Sequence, residues 1–148
     1  MPTSATDGRV NNGGTVQIFG NSAQAKNLIL GFDPGDSGTL EVVSNGVLGD
    51  LTVTNFLLVG EAGSGTMHIS AGASVSDQAG SIGGFFVPFP PVLILGTGAV
   101  TVTGSNATWT NSGTLNVFNG TLLVSGGGKV SNTNGLVSAF PVCPRRRR

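Results

Sequence analysis

Short runs that alternate apolar and polar residues, each opened or closed by glycine, recur along this chain and limit what it can fold into. Leu28-Ile-Leu-Gly31 is followed by Gly38-Thr-Leu-Glu-Val42. Phe56-Leu-Leu-Val-Gly60 is followed by Gly65-Thr-Met-His-Ile69, and Val92-Leu-Ile-Leu-Gly96 by Gly98-Ala-Val-Thr-Val102. The unit reads as an apolar run ending in glycine, a small polar turn, then Gly-Thr-apolar-x-apolar. The closing glycines at 31, 60 and 96 stand 29 and then 36 residues apart, so the period is loose. Further copies of the second half are Gly49-Asp-Leu-Thr-Val53, Gly113-Thr-Leu-Asn-Val117 and Gly120-Thr-Leu-Leu-Val124. A third element gives Gly72-Ala-Ser-Val75 and Gly127-Gly-Lys-Val130.

Alternation with a period of two puts Leu40 with Val42, Met67 with Ile69, and Val100 with Val102 on one face of a strand. Thr39, Glu41, Thr66, His68 and Thr101 fall on the other. Gly, Ser, Asn and Asp between the runs suit tight turns. No window keeps a helical period for two turns, and the glycine density makes helix costly. The expected fold is all-β. Recurrence of one small motif, few aromatic anchors and the lack of a consistent Asn-Gly hairpin signal favour a β-solenoid of short degenerate coils. In it the Val, Leu and Ile positions stack as inner ladders. A β-sandwich or barrel is the alternative.

Composition fits a packed chain. Hydrophobic residues make up 39%, while only 9% are charged and 25 of 148 are glycine. Average soluble domains carry about 25% charged residues. The formal net charge of zero conceals an uneven distribution, because four of the seven basic residues are Arg145, Arg146, Arg147 and Arg148. Without that tail, Arg9, Lys26 and Lys129 face seven acidic residues, a balance of −4. Such a body does not suggest a nucleic-acid surface. The lone Cys143 excludes an intramolecular disulfide framework. No signal peptide is expected in Met1-Pro-Thr-Ser-Ala-Thr-Asp-Gly8, which lacks a basic and an apolar region. No run reaches the roughly 18 apolar residues of a membrane helix, so no membrane insertion is expected.

Three segments follow: 1–27, an N-terminal polar segment or first coil; 28–136, the solenoid repeats; and 137–148, a tail outside the repeat. Within the second, Gly83-Gly-Phe-Phe-Val-Pro-Phe-Pro-Pro91 breaks the pattern. Its prolines cannot donate to a ladder, so it reads as a loop or bulge between coils, either protruding toward a partner or folded over the coil surface. The tail, Ala139 to Arg148, abandons the repeat abruptly.

Groups suited to catalysis are scarce. His68 is the one histidine, and alternation points it outward, opposite Met67 and Ile69. No Gly-x-Ser-x-Gly elbow accompanies it. Among the carboxylates Asp7, Asp33, Asp36, Glu41, Asp50, Glu61 and Asp77, only Asp33 and Asp36 are near neighbours. Phe32-Asp-Pro-Gly-Asp-Ser-Gly38 reads as a turn capped by its own Asp side chains. The Gly-Gly-x-Gly-x-Asp repeat of calcium solenoids is missing. No catalytic, metal or cofactor residue is expected, and the binding residues are not specified. Thr52-Val-Thr54 and Thr101-Val-Thr103 suggest a threonine array, which requires the same pair on every coil. Asn106-Ala-Thr108 and Asn119-Gly-Thr121 are glycosylation sequons expected by chance in such a chain.

The stretch Gly98-Ala-Val-Thr-Val-Thr-Gly-Ser-Asn-Ala-Thr-Trp-Thr-Asn-Ser-Gly-Thr-Leu-Asn-Val117 resembles the repeat of bacterial autotransporter passengers and PEP-CTERM-associated proteins. So does Gly120-Thr-Leu-Leu-Val-Ser-Gly-Gly-Gly-Lys-Val-Ser-Asn-Thr-Asn-Gly135. Trp109, Asn111 and Gly113 match the family pattern, clearly over 92–135 and loosely over 28–84. The earlier copies lack the tryptophan. The resemblance implies a right-handed parallel β-helix, displayed on or released from a bacterial surface, acting as scaffold or adhesive stalk. It implies host-surface or carbohydrate ligands, and it carries over no catalytic residue. Fold analogy alone supplies the alternative of a degraded carbohydrate-active β-helix. The carboxylates Asp33 and Asp36, with His68 and a basic residue, are the groups such an enzyme would have to gather.

Overall fold

The computed structural model describes residues 5–46 and 49–137, with side chains as far as 135. Cys143, the four terminal arginines and the rest of 138–148 lie outside the described residues. Among those described there is no helix. Fourteen of the sixteen strands stack in parallel as a β-solenoid, and two form a hairpin on its surface.

Each coil contributes one strand to each of three walls. The first wall holds β1 (Gly8–Val10), β4 (Leu28–Leu30), β7 (Phe56–Val59), β10 (Ala79–Ile82) and the second half of β14 (Thr108–Val117). The second holds β2 (Gly14–Phe19), β5 (Ser37–Val43), β8 (Ser64–Ile69), β13 (Thr97–Thr103) and β15 (Gly120–Ser125). The third holds β3 (Ser22–Ala25), β6 (Asp50–Val53), β9 (Ser74–Asp77) and the first half of β14. The last strand, β16 (Lys129–Val137), lies along the whole of β14. Because β14 turns the corner unbroken, with a bulge between Asn111 and Thr114, the third and first walls join as one sheet.

Alternation fixes what fills the interior. On the second wall Val16, Leu40, Met67, Val100 and Leu122 form one column, and Ile18, Val42, Ile69, Val102 and Val124 the next. The first wall adds Val10, Leu30, Val59 and Ile82. The third adds Ala23, Leu51, Val75 and Trp109. Most are fully buried in one continuous core. No coil could bury these faces alone; stacking does it.

Glycine sets the corner between the first and second walls. Gly14, Gly38, Gly65, Gly98 and Gly120 occupy one register position. A Cβ on Gly38 would collide with the Val10 carbonyl, and one on Gly98 with that of Val59. The chain leaves the first wall so tightly here that only a bare Cα fits. The closing glycines just before this corner are Gly31, Gly60 and Gly83, all at positive φ, and each amide donates to the coil before it.

That series corrects the repeat alignment. Val92-Leu-Ile-Leu-Gly96 is not the third copy of the apolar run. The first-wall strand of that coil is Ala79–Ile82, closed by Gly83, which places the closing glycines 29 and then 23 residues apart. The other Gly-Thr-Leu-type copies also fall on different walls: Gly49 leads into the third, Gly113 into the first and Gly120 into the second. Each wall asks only for an inward apolar residue at every second position, so one motif serves all three.

The Phe/Pro segment is likewise not an open loop. β11 (Phe85–Pro88) and β12 (Pro91–Ile94) pair antiparallel as a hairpin folded against the outside of the first wall. Phe85 meets Phe56 edge-on, with ring centroids 6.3 Å apart. The Ser81 hydroxyl donates to the Gly84 carbonyl at 2.5 Å. Leu58 and Ser81 point outward on their strands yet are only 6% and 4% exposed, which identifies the covered ground. Pro88 and Pro91 form the last pair of the hairpin, where no further ladder bond is needed, and Pro90 lies in the turn between them.

Candidate functional site

The outer face of the third wall carries an ordered set of polar side chains. Gln24, Thr52, Ser76, Thr110 and Ser131 form one outward column, each a strand spacing of about 4.8 Å from the next. Beside it, Thr54, Gln78 and Ser112 lie at the edge toward the first wall. Together Thr52, Thr54, Ser76, Gln78, Thr110 and Ser112 line a shallow trough that crosses three coils. Every side chain lining it from outside is a neutral hydroxyl or amide. Neighbouring hydroxyls touch weakly: Ser76 donates to Thr52 and Ser131 to Thr110, both at 3.4 Å. Bonds that long leave donors and acceptors ready to exchange for a ligand's.

Beneath the trough lies a buried carboxylate. Val75 points inward, so Asp77, two residues on, does too. It is 5% exposed and meets Trp109 and Asn111, also inward, on the next coil. Asn111 Nδ2 donates to Asp77 Oδ1 at 2.9 Å. Asp77 Oδ2 and Trp109 Nε1 are left without a hydrogen bond. Burial pushes the Asp77 carboxyl up to about 7, against the opposing pull of the nearby indole N–H and the Asn111 amide. Asn111 also accepts from the Gly113 amide at 3.0 Å, which turns the chain from the third wall into the first. Trp109, Asn111 and Gly113 thus act as core filler, corner bracket and corner.

The residues considered for chemistry do not gather. Asp33 and Asp36 shape the turn from β4 to β5: the Asp36 amide donates to the Asp33 carbonyl, and the Asp33 amide to Asp36 Oδ2. The Ser64 amide donates to the Asp36 carbonyl, so Asp36 sits level with the start of β8. His68 lies exposed four residues further along that strand, about 13 Å away at ~3.3 Å per residue. Its outward neighbours are Glu41 and Thr101. Arg9 stacks over Phe32 at 3.9 Å. Nearby Glu61 has a carboxyl raised first by burial, lowered by Arg9 and raised again by Asp33. Among the described residues no three His, Cys, Asp or Glu side chains are placed to hold a metal ion. Thr52 and Thr101, the first members of the two threonine pairs, stand on different walls, so they form no joint array.

Two apolar features complete the surface. Phe89, at the hairpin tip, is 89% exposed, and Phe86, Val92 and Leu95 are about half exposed. At the amino-terminal end the interior opens as a cavity of about 200 Å³ lined by Val16, Ile18, Ala23, Ala25, Leu28 and Leu51 among others. It exists because the first coil places Ala23 and Ala25 where the next places Leu51 and Val53.

Three stacked walls, a continuous aliphatic interior and a polar exterior define the chain as a parallel β-solenoid. No protein-family model, curated protein sequence or solved structure matches it.

Proposed function

We propose that this chain is a non-catalytic scaffold and adhesive module of the surface-displayed or secreted bacterial kind, and that the third-wall trough binds a neutral, polyhydroxylated ligand of the carbohydrate class. The observation that carries the reading is the trough. Its six outward side chains offer hydroxyls and one carboxamide on a regular grid without a charge among them, while Val53 and the buried Asp77 line it from beneath. A neutral polyol can match such a grid with many modest hydrogen bonds, direct or through water. A repeated ligand then gains by engaging several coils at once. The stacked core beneath keeps the grid flat and in register.

The test is retention on insoluble polysaccharides and on a glycan array. The native chain should be retained. Thr52→Ala with Ser76→Ala and Thr110→Ala should abolish retention while leaving the β-type circular dichroism intact. The matching second-wall variant, Thr39→Ala with Thr66→Ala and Thr121→Ala, should bind as the native chain does. Failure of the native chain to bind any glycan, or equal binding by the third-wall variant, would overturn the reading.

A further inference from the structure

The surface hairpin and its root, Gly84 to Leu95, read Gly-Phe-Phe-Val-Pro-Phe-Pro-Pro-Val-Leu-Ile-Leu and hold no polar side chain. Contiguous exposed apolar surface of this kind marks an interaction site. Its exposure rises away from the coil. Phe85 is half-buried against Phe56 at the root, Phe86 is 49% exposed, and Phe89 at the tip is 89% exposed. Val92 and Leu95 extend the same surface on the returning side. The ladder begins at Phe85 with Ile94 and ends at Pro88 with Pro91, so the tip stands three residue spacings, ~10 Å, beyond the root.

Two features say what covers the tip. The first is its backbone. Pro88, Pro90 and Pro91 have no amide hydrogen, so within 88–91 only Phe89 brings a donor that needs a partner. Acyl chains offer no hydrogen-bond partner, and every bare N–H placed among them is heavily penalised. A protein pocket, which supplies partners of its own, makes no such demand. The second feature is charge. No charged side chain occurs from Gln78 to Gly128, so the upper coils lose no ionic hydration at a lipid surface. The turns stacked beneath the root carry Asp33, Asp36 and Glu61, against Arg9. Anionic headgroups repel that corner, and uncharged ones do not.

We propose that the hairpin is a shallow anchor for a bilayer of uncharged lipid, with the Phe89 ring and its flanking prolines seated among the acyl chains. Among the described residues no helix is long and apolar enough to cross a membrane, and this attachment crosses nothing: it stays within one leaflet. A single wedge of this size holds reversibly. Because the hairpin covers the first wall and the polar trough lies on the third, the two surfaces work independently.

Flotation of the 148-residue chain with protein-free vesicles tests this, using phosphatidylcholine alone and phosphatidylcholine with added phosphatidylglycerol. The native chain should float with phosphatidylcholine, equally at low and high salt. Phe89→Ser should weaken that association about 10- to 100-fold, the range for burying one phenylalanine ring. The ring packs on nothing within the chain, so the fold should survive, as circular dichroism will check. Phe89→Trp should float as the native chain does, and brominated acyl chains should quench the new indole while the buried Trp109 keeps its emission. Thr52→Ala with Ser76→Ala and Thr110→Ala should leave flotation unchanged, which separates this anchor from glycan binding in the trough. The proposal fails if the native chain does not float with phosphatidylcholine, or if flotation needs phosphatidylglycerol and vanishes in high salt, as attachment through Arg145 to Arg148 would. It fails equally if Phe89→Ser floats as the native chain does, or if the new indole is not quenched.

Discussion

The Asn111 side-chain amide donates a 2.9 Å hydrogen bond to Asp77 Oδ1 inside the solenoid, while Asp77 Oδ2 is bonded to nothing. One carboxylate oxygen is satisfied and the other is buried bare. This half-satisfied pair makes the fold sensitive to pH. The folded carboxyl titrates near 7, against about 3.9 for an unfolded Asp. Its contribution is therefore fully present below about pH 4 and is lost as pH rises through 7. The unfolding free energy from urea melts should fall over that window and level off above it, by about 4 kcal/mol at the upper bound. Asp77→Asn should flatten the profile, matching the native chain near pH 4 and exceeding it at pH 8. A native profile that climbs between pH 4 and 7 would contradict the burial argument.

Trp109 fills space that Gly80 leaves open on the facing wall. A Cβ on Gly80 would lie 3.0 Å from the indole Cζ2 and 3.0 Å from Leu115 Cδ1. Trp109→Ala should cost about 3–5 kcal/mol through the cavity it leaves. Gly80→Ala should cost about 1–3 kcal/mol through overpacking. Combining Gly80→Ala with Trp109→Leu should cost less than the sum of the two single changes, because the smaller side chain removes the clash. Denaturant melts over the double-mutant cycle measure that coupling.

Gly35 and Gly38 separate two reasons for glycine. Gly35 has φ +89 and open space around its Cα, so Gly35→Ala should cost only backbone strain, about 1–2 kcal/mol. Gly38 has no such dihedral, but its added Cβ would strike the Val10 carbonyl. Backbone cannot step aside as a side-chain tip can. Gly38→Ala should cost more than ~3 kcal/mol and should release the first coil. Hydrogen exchange at Val10 and Ile18, compared between the two variants, reads the difference.

The hairpin should be dispensable for folding. Replacing 84–95 with two residues copies the link that Glu61 and Ala62 make between Gly60 and Gly63. Gly96 already stacks on that turn, close against the Gly60 and Gly63 carbonyls. The shortened chain should keep its β-type spectrum and melt cooperatively, at a lower temperature because Leu58 and Phe56 lose their cover. Phe89→Ser alone should change stability by less than about 0.5 kcal/mol, since its ring packs on nothing.

Alternation made the core columns readable in advance. Leu40 with Val42, Met67 with Ile69, and Val100 with Val102 all point inward as their period of two requires. His68 is exposed for the same reason, and Asp33 with Asp36 forms the expected turn. What misled was Val92-Leu-Ile-Leu-Gly96, whose apolar run matches a first-wall strand better than the true one does. Ala79-Gly-Ser-Ile82 hides its identity because Trp109 fills the place of an inward side chain and the hairpin covers Ser81 from outside. Both facts are tertiary and leave no mark on the strand itself. The buried Asp77 did leave one: Val75 points inward, and the residue two further on must follow it. The trough was illegible because Thr52, Ser76 and Thr110 become neighbours only through the stack.

The insertion between Gly83 and Gly96 leaves the register on both sides undisturbed, with Gly80 still beside Leu57 and Gly98 still beside Gly65. A corner of this architecture therefore behaves as a port. The core senses only where the chain leaves and re-enters, and a longer excursion adds little closure entropy. Foreign peptides grafted there would be carried outside the stack without entering its folding problem. Successive coils could then present different cargoes at heights fixed by the strand spacing, as graduations are fixed along a ruler.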